Sequence, residues 1–183
     1  MRILILNGNP KIDLPDFDAY VDNLSGLLTT KENKSTVIKL RDMSLHKCVG
    51  CYSCWVKTPG ICVFQDDVAT ILQEYLQADV VLFSSPVIMG FISALLKTFQ
   101  ERCLPLAHPF LRLAGERMQH VPRYEKTPAT ALLLGRTADC AGCVPTSKDI
   151  IEEIFRGNKS SSFKFVKTMD EKPEEIAHAL NNI

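Results

Sequence analysis

The sequence predicts an α/β fold, a doubly wound five-stranded parallel sheet in the order 2-1-3-4-5 with helices on both faces. Three observations predict it. Residues 2–7, 79–84 and 129–134 are continuous aliphatic runs rather than alternating ones, as expected of strands covered on both sides. Segments with apolar residues at helical spacing lie between such runs. Each run also ends in a loop bearing Gly or Pro, where a chain turns from strand to helix.

In order, residues 2–7 (Arg-Ile-Leu-Ile-Leu-Asn) are the first and central strand. Residues 16–28 carry Phe17, Tyr20, Val21, Leu24, Leu27 and Leu28 on one helical stripe, with Asp16 after Pro15 as the cap. Residues 35–40 are a second strand, followed by a cysteine-rich insertion at about 41–65. Asp66 caps a helix over 67–77 that buries Val68, Ile71, Leu72, Tyr75 and Leu76. The third strand, 79–84, runs into Ser84-Ser85-Pro86-Val87-Ile88-Met89-Gly90, and a helix resumes from Ile92 to Cys103. Residues 105–128 hold Pro105, Pro109, Pro122 and Pro128 and read as a long excursion with one short helical piece. The fourth strand, Ala129 to Leu134, ends at Gly135. Ser147 caps a helix to Phe155, Phe163 to Val166 is the fifth strand, and Pro173 opens a last helix at its first turn. No repeat or linker divides residues 1–183, so one domain is expected.

The 183 residues carry no formal net charge, with a pI near 6.9, so no global positive field draws the chain to nucleic acid or anionic lipid. No apolar run reaches membrane-spanning length and the apolar start is too short for a signal peptide, which gives a cytoplasmic expectation. In a reducing compartment seven cysteines point to metal or redox chemistry before structural disulfides. Four of them, Cys48, Cys51, Cys54 and Cys62, fall in one stretch with a Pro59-Gly60 turn before the last. Thiolates at that spacing can face one centre, an iron–sulfur cluster or a zinc ion; a redox thiol set and plain buried residues are the other readings. Cys140 and Cys143 form a second, weaker Cys-x2-Cys pair.

Other candidates have plainer readings. Asp66 and Asp67 precede an apolar helical run and read as caps rather than paired acid and base. His46, His108, His120 and His178 show no metal spacing, and His46 reads as a solvated loop residue. Lys97 and Arg102 read as surface charges, and Cys103 as core. No Ser-His-Asp set, Walker loop or Gly-x-Gly-x-x-Gly fingerprint appears, which removes the hydrolase and NTPase classes. No catalytic acid or base is assigned.

In an open parallel sheet the ligand crevice lies beyond the carboxyl ends of the strands at the switch in their order. Loops 8–15, 85–91 and 135–146 converge there. Three stretches of the chain resemble the NAD(P)H-dependent FMN reductase and iron–sulfur flavoprotein family of flavodoxin-like proteins: Cys-Val-Gly-Cys-Tyr-Ser-Cys with Cys62 and Asp66-Asp67; Ser85-Pro86-Val87-Ile88-Met89-Gly90 with Leu96-Lys97-Thr98-Phe99 and Arg102; and His120-Val-Pro-Arg-Tyr124. The resemblance implies FMN as cofactor and NAD(P)H as transient substrate. Pro86, Val87, Ile88, Met89 and Gly90 would border the flavin ring, Gly135, Arg136 and Thr137 would close its other side, and Asn9 and Lys11 would lie at the phosphate.

It further implies electron transfer to a quinone, another small acceptor, a redox protein or an iron–sulfur centre, in a homodimer or homotetramer. Two alternatives stand beside it: a one-electron iron–sulfur flavoprotein that does not use nicotinamide, and a non-enzymatic domain that has lost FMN. The first loop departs from the family's hydroxyl-rich pattern, since Asp13, Asp16 and Asp18 stand around Lys11.

Overall fold

The computed structural model describes residues 1–11, 14–114, 117–135 and 163–183. Strands β1 (Arg2–Asn7), β2 (Lys34–Lys39), β3 (Val80–Ile88), β7 (Ala129–Gly135) and β8 (Phe163–Thr168) form a parallel sheet in the order β2-β1-β3-β7-β8. That is the expected 2-1-3-4-5. The short β4 (Phe91–Ile92) adds an antiparallel partner to the end of β3. The continuous aliphatic runs are explained by the pleat, which sends successive side chains to opposite faces. Ile3, Ile5, Val80 and Leu82 pack under α1 (Pro15–Leu28) and α5 (Pro173–Asn181). Leu4, Leu6, Val81 and Phe83 pack on the other side, under α3 (Val68–Gln77) and α4 (Ala94–Glu101).

Several local expectations are corrected. Asp16 does not cap α1: the helix opens at Pro15, Leu14 stands at its N-cap with no side-chain hydrogen bond, and Asp16 lies in the first turn. Proline at the first helical position needs no N–H partner, so a cap is less needed there. β3 continues past Ser84 to Ile88, because Val87 and Ile88 pair with Ile92 and Phe91 across a turn at Met89-Gly90. The 105–128 excursion is a two-stranded antiparallel ribbon of β5 (Ala107–Ala114) and β6 (Arg117–Pro122), preceded by a 3-10 turn at Leu104–Leu106. Its prolines are tolerated because Pro109 falls where the register shifts and Pro122 ends its strand. The helix expected after Ser147 lies outside the described residues, as do Arg136, Thr137, Cys140 and Cys143. Among the described residues no helix is long and apolar enough to cross a membrane.

Candidate functional site: strand-tip crevice and cysteine loop

The tips of β1, β3 and β7 are knitted together where the strand order switches. Gly8 N–H donates to the Ser84 carbonyl at 2.8 Å, and the Ser93 hydroxyl donates to the Gly8 carbonyl at 2.6 Å. Ser93 N–H in turn donates to Ser85 Oγ at 2.8 Å, and Ser93 caps α4 by accepting from Leu96 N–H. Gly8 is required by this packing, since a Cβ there would stand 2.7 Å from the Leu96 Cβ. Pro86 is in register with Gly135, so the two loops expected to flank a ring start side by side. Gly135 has no room for a side chain either, because a Cβ would meet the Phe17 ring at 2.3 Å. Between these walls the Met89-Gly90 turn projects into solvent: both residues have positive φ, 50° and 78°, and Met89 is 97% exposed. A methionine held there bears a left-handed backbone cost while its apolar side chain stands in solvent.

The first loop is built around an internal anion. Asp18, in α1, accepts from Asn7 Nδ2 at 2.8 Å and Asn9 Nδ2 at 3.1 Å, and from the Arg41 guanidinium at 3.2 and 2.6 Å. Burial works to raise its pKa, but the hydrogen bonds from Arg41, Asn7 and Asn9 outweigh it and hold the carboxyl below its ordinary range. Asn9 N–H and Lys11 N–H are taken by the side chains of Asn7 and Asn9. Lys11 is exposed. Asn7, Asn9 and Arg41 are therefore an anion-holding donor set, which suits a phosphate in kind, but they already hold a carboxylate. Arg41 carried no local signal in the sequence; it arrives from the turn after β2.

The cysteine loop runs from the end of β2 to α3. Gly50 and Tyr52 have positive φ, 64° and 53°, and this double reversal leads into the single helical turn α2 (Ser53–Val56). Cys48, Cys51, Cys54 and Cys62 consequently line one small cavity of about 20 Å³ together with Phe64 and Arg102. Cys51 is exposed, and hydrogen bonds from the Ser53 backbone and hydroxyl lower its pKa. Cys54 is buried; burial, then negative charge on Cys62, Cys51 and Cys48, pushes its thiol up. Four sulfurs that line one cavity are a donor set whose chemistry suits a cationic guest, a metal ion or an iron–sulfur cluster. Among the described residues no three ligating side chains are drawn close enough to hold one metal ion in the present arrangement.

Arg102 departs furthest from its expected role, being 2% exposed rather than a surface charge. It donates to both oxygens of Asp66, at 2.7 and 2.9 Å, and to the His46 carbonyl at 2.7 Å. Asp66 does not occupy the expected N-cap of α3, where Asp67 stands with no side-chain cap hydrogen bond, although the Asp66 Oδ1 accepts from Val68 N–H at 3.2 Å. Burial raises the Asp66 pKa, but Arg102, the His46 amide and the Val68 amide bring it down to about 2. For Arg102, burial acts against the charge while Asp66 and the Cys62 sulfur raise it. Lys97 pairs with Glu101 at 3.4 Å, near the surface as expected. His46 is not simply solvated: its ring stacks on Phe64 and approaches Asp66 at 3.3 Å. Trp55 donates its indole N–H to the Leu104 carbonyl at 3.1 Å and lies against Tyr52 and His120.

Known proteins resemble this chain in sequence or in fold. Over 106 residues the chain is 31% identical to an iron-sulfur flavoprotein of Methanocaldococcus jannaschii, covering 58% of this chain and 53% of that protein. An iron-sulfur flavoprotein of Archaeoglobus fulgidus is 24% identical over 102 residues, 56% of this chain and 48% of that one. The chain thus spans about half the length of these curated relatives. Among solved structures, an FMN-dependent NADH-azoreductase from Bacillus anthracis superposes with a TM-score of 0.64 at 13% identity, covering 99% of this chain and 98% of that one. An NAD(P)H:quinone oxidoreductase from Methanothermobacter marburgensis gives a TM-score of 0.63 at 16% identity, with 97% and 93% covered. At these identities the structures speak for the flavodoxin-like fold. The profile of NADPH-dependent FMN reductases matches residues 1–117, which include β1, the first loop, the cysteine loop and the Pro86–Gly90 turn, and the chain belongs to that family.

Proposed function

We propose that the chain is an FMN-dependent oxidoreductase that takes electrons from NAD(P)H and passes them to a small acceptor or to an iron–sulfur centre on Cys48, Cys51, Cys54 and Cys62. The observation that carries the reading is the convergence of the β1, β3 and β7 tips, with Pro86 beside Gly135, at the switch in strand order of a family member. FMN, when bound, supplies hydride acceptance and electron release. The chain's part is to seat and orient it. Pro86, Val87, Ile88, Met89 and Gly90 would border the ring, with Gly135 in register beside Pro86, and Asn9, Lys11 and Arg41 would meet the phosphate. Burial of Val87 and the strand pairing of Ile88 make that border rigid on the sheet side, while Met89 is free to cover a ring face.

Visible spectroscopy of anaerobically purified protein tests this. Flavin bands that bleach with NADH or NADPH are expected, and a broad shoulder that vanishes in Cys48→Ser and Cys54→Ser while the flavin bands persist would mark the cluster. A colourless protein that takes up no FMN would sink the reading. Flavin that resists nicotinamide but is reduced by a one-electron donor would favour the carrier alternative.

We further infer a cytoplasmic homodimer or homotetramer that uses the β5–β6 ribbon, where Phe110, Leu111, Leu113 and Met118 are exposed. Two paired strands alone bury little, and an apolar outer face suits contact with a second copy. A monomeric mass by light scattering would remove this part.

A further inference from the structure

A cavity of about 510 Å³ opens between the cysteine loop, α4 and the β5–β6 ribbon, a size suited to a small-molecule ligand. Among the described residues, none of its lining comes from the strand-tip loops. It adjoins the cysteine centre instead, since Cys48 and Tyr52 line both spaces.

Tyr52 is a residue that the fold alone does not ask for. The loop turns there through the left-handed region, φ 53°, which Gly or Asn takes freely and a tyrosine takes only against strain. Its side chain is nevertheless left in reach of solvent, the residue being 53% exposed. Strained residues that the surrounding structure holds in place gather at binding sites. The Tyr52 ring packs on Trp55 with centroids 5.3 Å apart, and the His120 ring meets the same indole from β6 at 5.0 Å. That support is fixed at both ends: the indole N–H donates to the Leu104 carbonyl at 3.1 Å, and His120 Nδ1 reaches the His108 carbonyl at 3.0 Å. Tyr52 and His120 both line the cavity, and Leu104 and Leu106 add apolar wall. Lys97 and Glu101, also in the lining, pair with each other at 3.4 Å, so the two together offer an ionic ligand no net charge. Aromatic residues on a neutral apolar wall favour a flat partner, because ring faces and edges attract beyond the area they bury.

We propose that this cavity binds a flat, uncharged aromatic ring compound against Tyr52 and His120, beside Cys48. The proposal depends neither on the flavin reading nor on what the cysteines hold.

Calorimetric titration of the full chain near neutral pH with naphthol, its saturated counterpart decalol and naphthoate tests it. Naphthol and decalol share a carbon skeleton and a hydroxyl, but only naphthol is flat; naphthoate is flat but charged. Naphthol is expected to bind about tenfold more tightly than either, the effect of added ring contacts. Tyr52→Leu should abolish the preference over decalol, His120→Leu should weaken it and Tyr52→Phe should keep it. Trp55 is the chain's single tryptophan, so its indole N–H gives one signal in an N–H correlation spectrum, and bound naphthol should shift that signal. Naphthol should bind equally well with FMN present. Equal binding of naphthol and decalol, no binding of either, tighter binding of naphthoate, or an unmoved Trp55 signal would overturn the proposal. So would a preference that survives in both leucine variants, or displacement of naphthol by FMN, which would place it in the flavin crevice.

Discussion

Arg102 and Asp66 meet as a bidentate ion pair, Nη1 to Oδ2 at 2.7 Å and Nη2 to Oδ1 at 2.9 Å, with side chains 1% and 0% exposed. The pair ties the end of α4 to the start of α3 and, through the His46 carbonyl, to the cysteine loop. Breaking one side of such a pair strands a buried charge, so Asp66→Asn or Arg102→Met should each cost about 3–5 kcal/mol. Replacing both, Asp66→Asn with Arg102→Met, should cost well under the sum. A urea-unfolding double-mutant cycle reads this directly, and additive losses would show that the pair is not coupled.

Asp66 also sets an acid limit. Its folded pKa of about 2 lies below the ordinary 3.8, so its contribution is present above about pH 4 and lost as pH falls towards about 2. The shift corresponds to about 2 kcal/mol. Asp18, also depressed, acts in the same direction. Urea midpoints followed down from about pH 5 should fall through this window. In Asp66→Asn, read relative to its own midpoint at the higher pH, the slope should flatten.

At the phosphate end, Asp18 competes for the donors that an anion would use. Asp18→Asn should strengthen FMN binding by about fivefold or more, and Arg41→Gln should weaken it. Riboflavin, which lacks the phosphate, should respond to neither. Fluorescence titration of the flavin-free protein with each compound gives the comparison. A parallel change for riboflavin would mean that the substitutions act through the fold and not through phosphate charge.

The Met89-Gly90 turn holds a methionine at φ 50° and a glycine at φ 78°. Met89→Asn should stabilise the hairpin by about 0.5–1 kcal/mol and Gly90→Ala should destabilise it by about 1 kcal/mol. If the exposed methionine covers a flavin ring, Met89→Asn should at the same time weaken binding of both FMN and riboflavin. Thermal melts and the same titrations measure the two effects. A stabilised variant with unaltered flavin affinity would leave Met89 without a role at the crevice.

The sheet was legible in the sequence because each central strand buries both faces, and only uninterrupted runs such as Arg-Ile-Leu-Ile-Leu-Asn do that. The end of β3 was less so. Val87 and Ile88 look like loop beside Pro86, and only their pairing with Phe91 and Ile92 makes them strand. The β5–β6 ribbon was hidden by its prolines, Pro109 at a shift in register and Pro122 at the end of its strand. At the site, the cysteines and the Pro86–Gly90 turn announce themselves by local spacing. Arg41 and Arg102 do not, because what makes them matter is a partner far along the chain, Asp18 in one case and Asp66 in the other. Ser93 could have been found from sequence, as a hydroxyl residue directly before an apolar helical run.

The cysteine loop is fastened from several sides by the polypeptide itself. Asp66 and His46 hold Arg102, Trp55 holds the Leu104 carbonyl, and Asp67 accepts from Ser44 N–H at 2.7 Å. In small metal-dependent domains the guest must also order the chain, so binding and folding are one event and chelation unfolds the protein. Here the loop's frame is tied by the polypeptide's own contacts, and a guest need only draw the sulfurs together. Loading should then need only a local closing of the four sulfurs on the guest within this frame, with Tm little moved by a chelator. Its rate should be set by entry past the exposed Cys51 rather than by refolding.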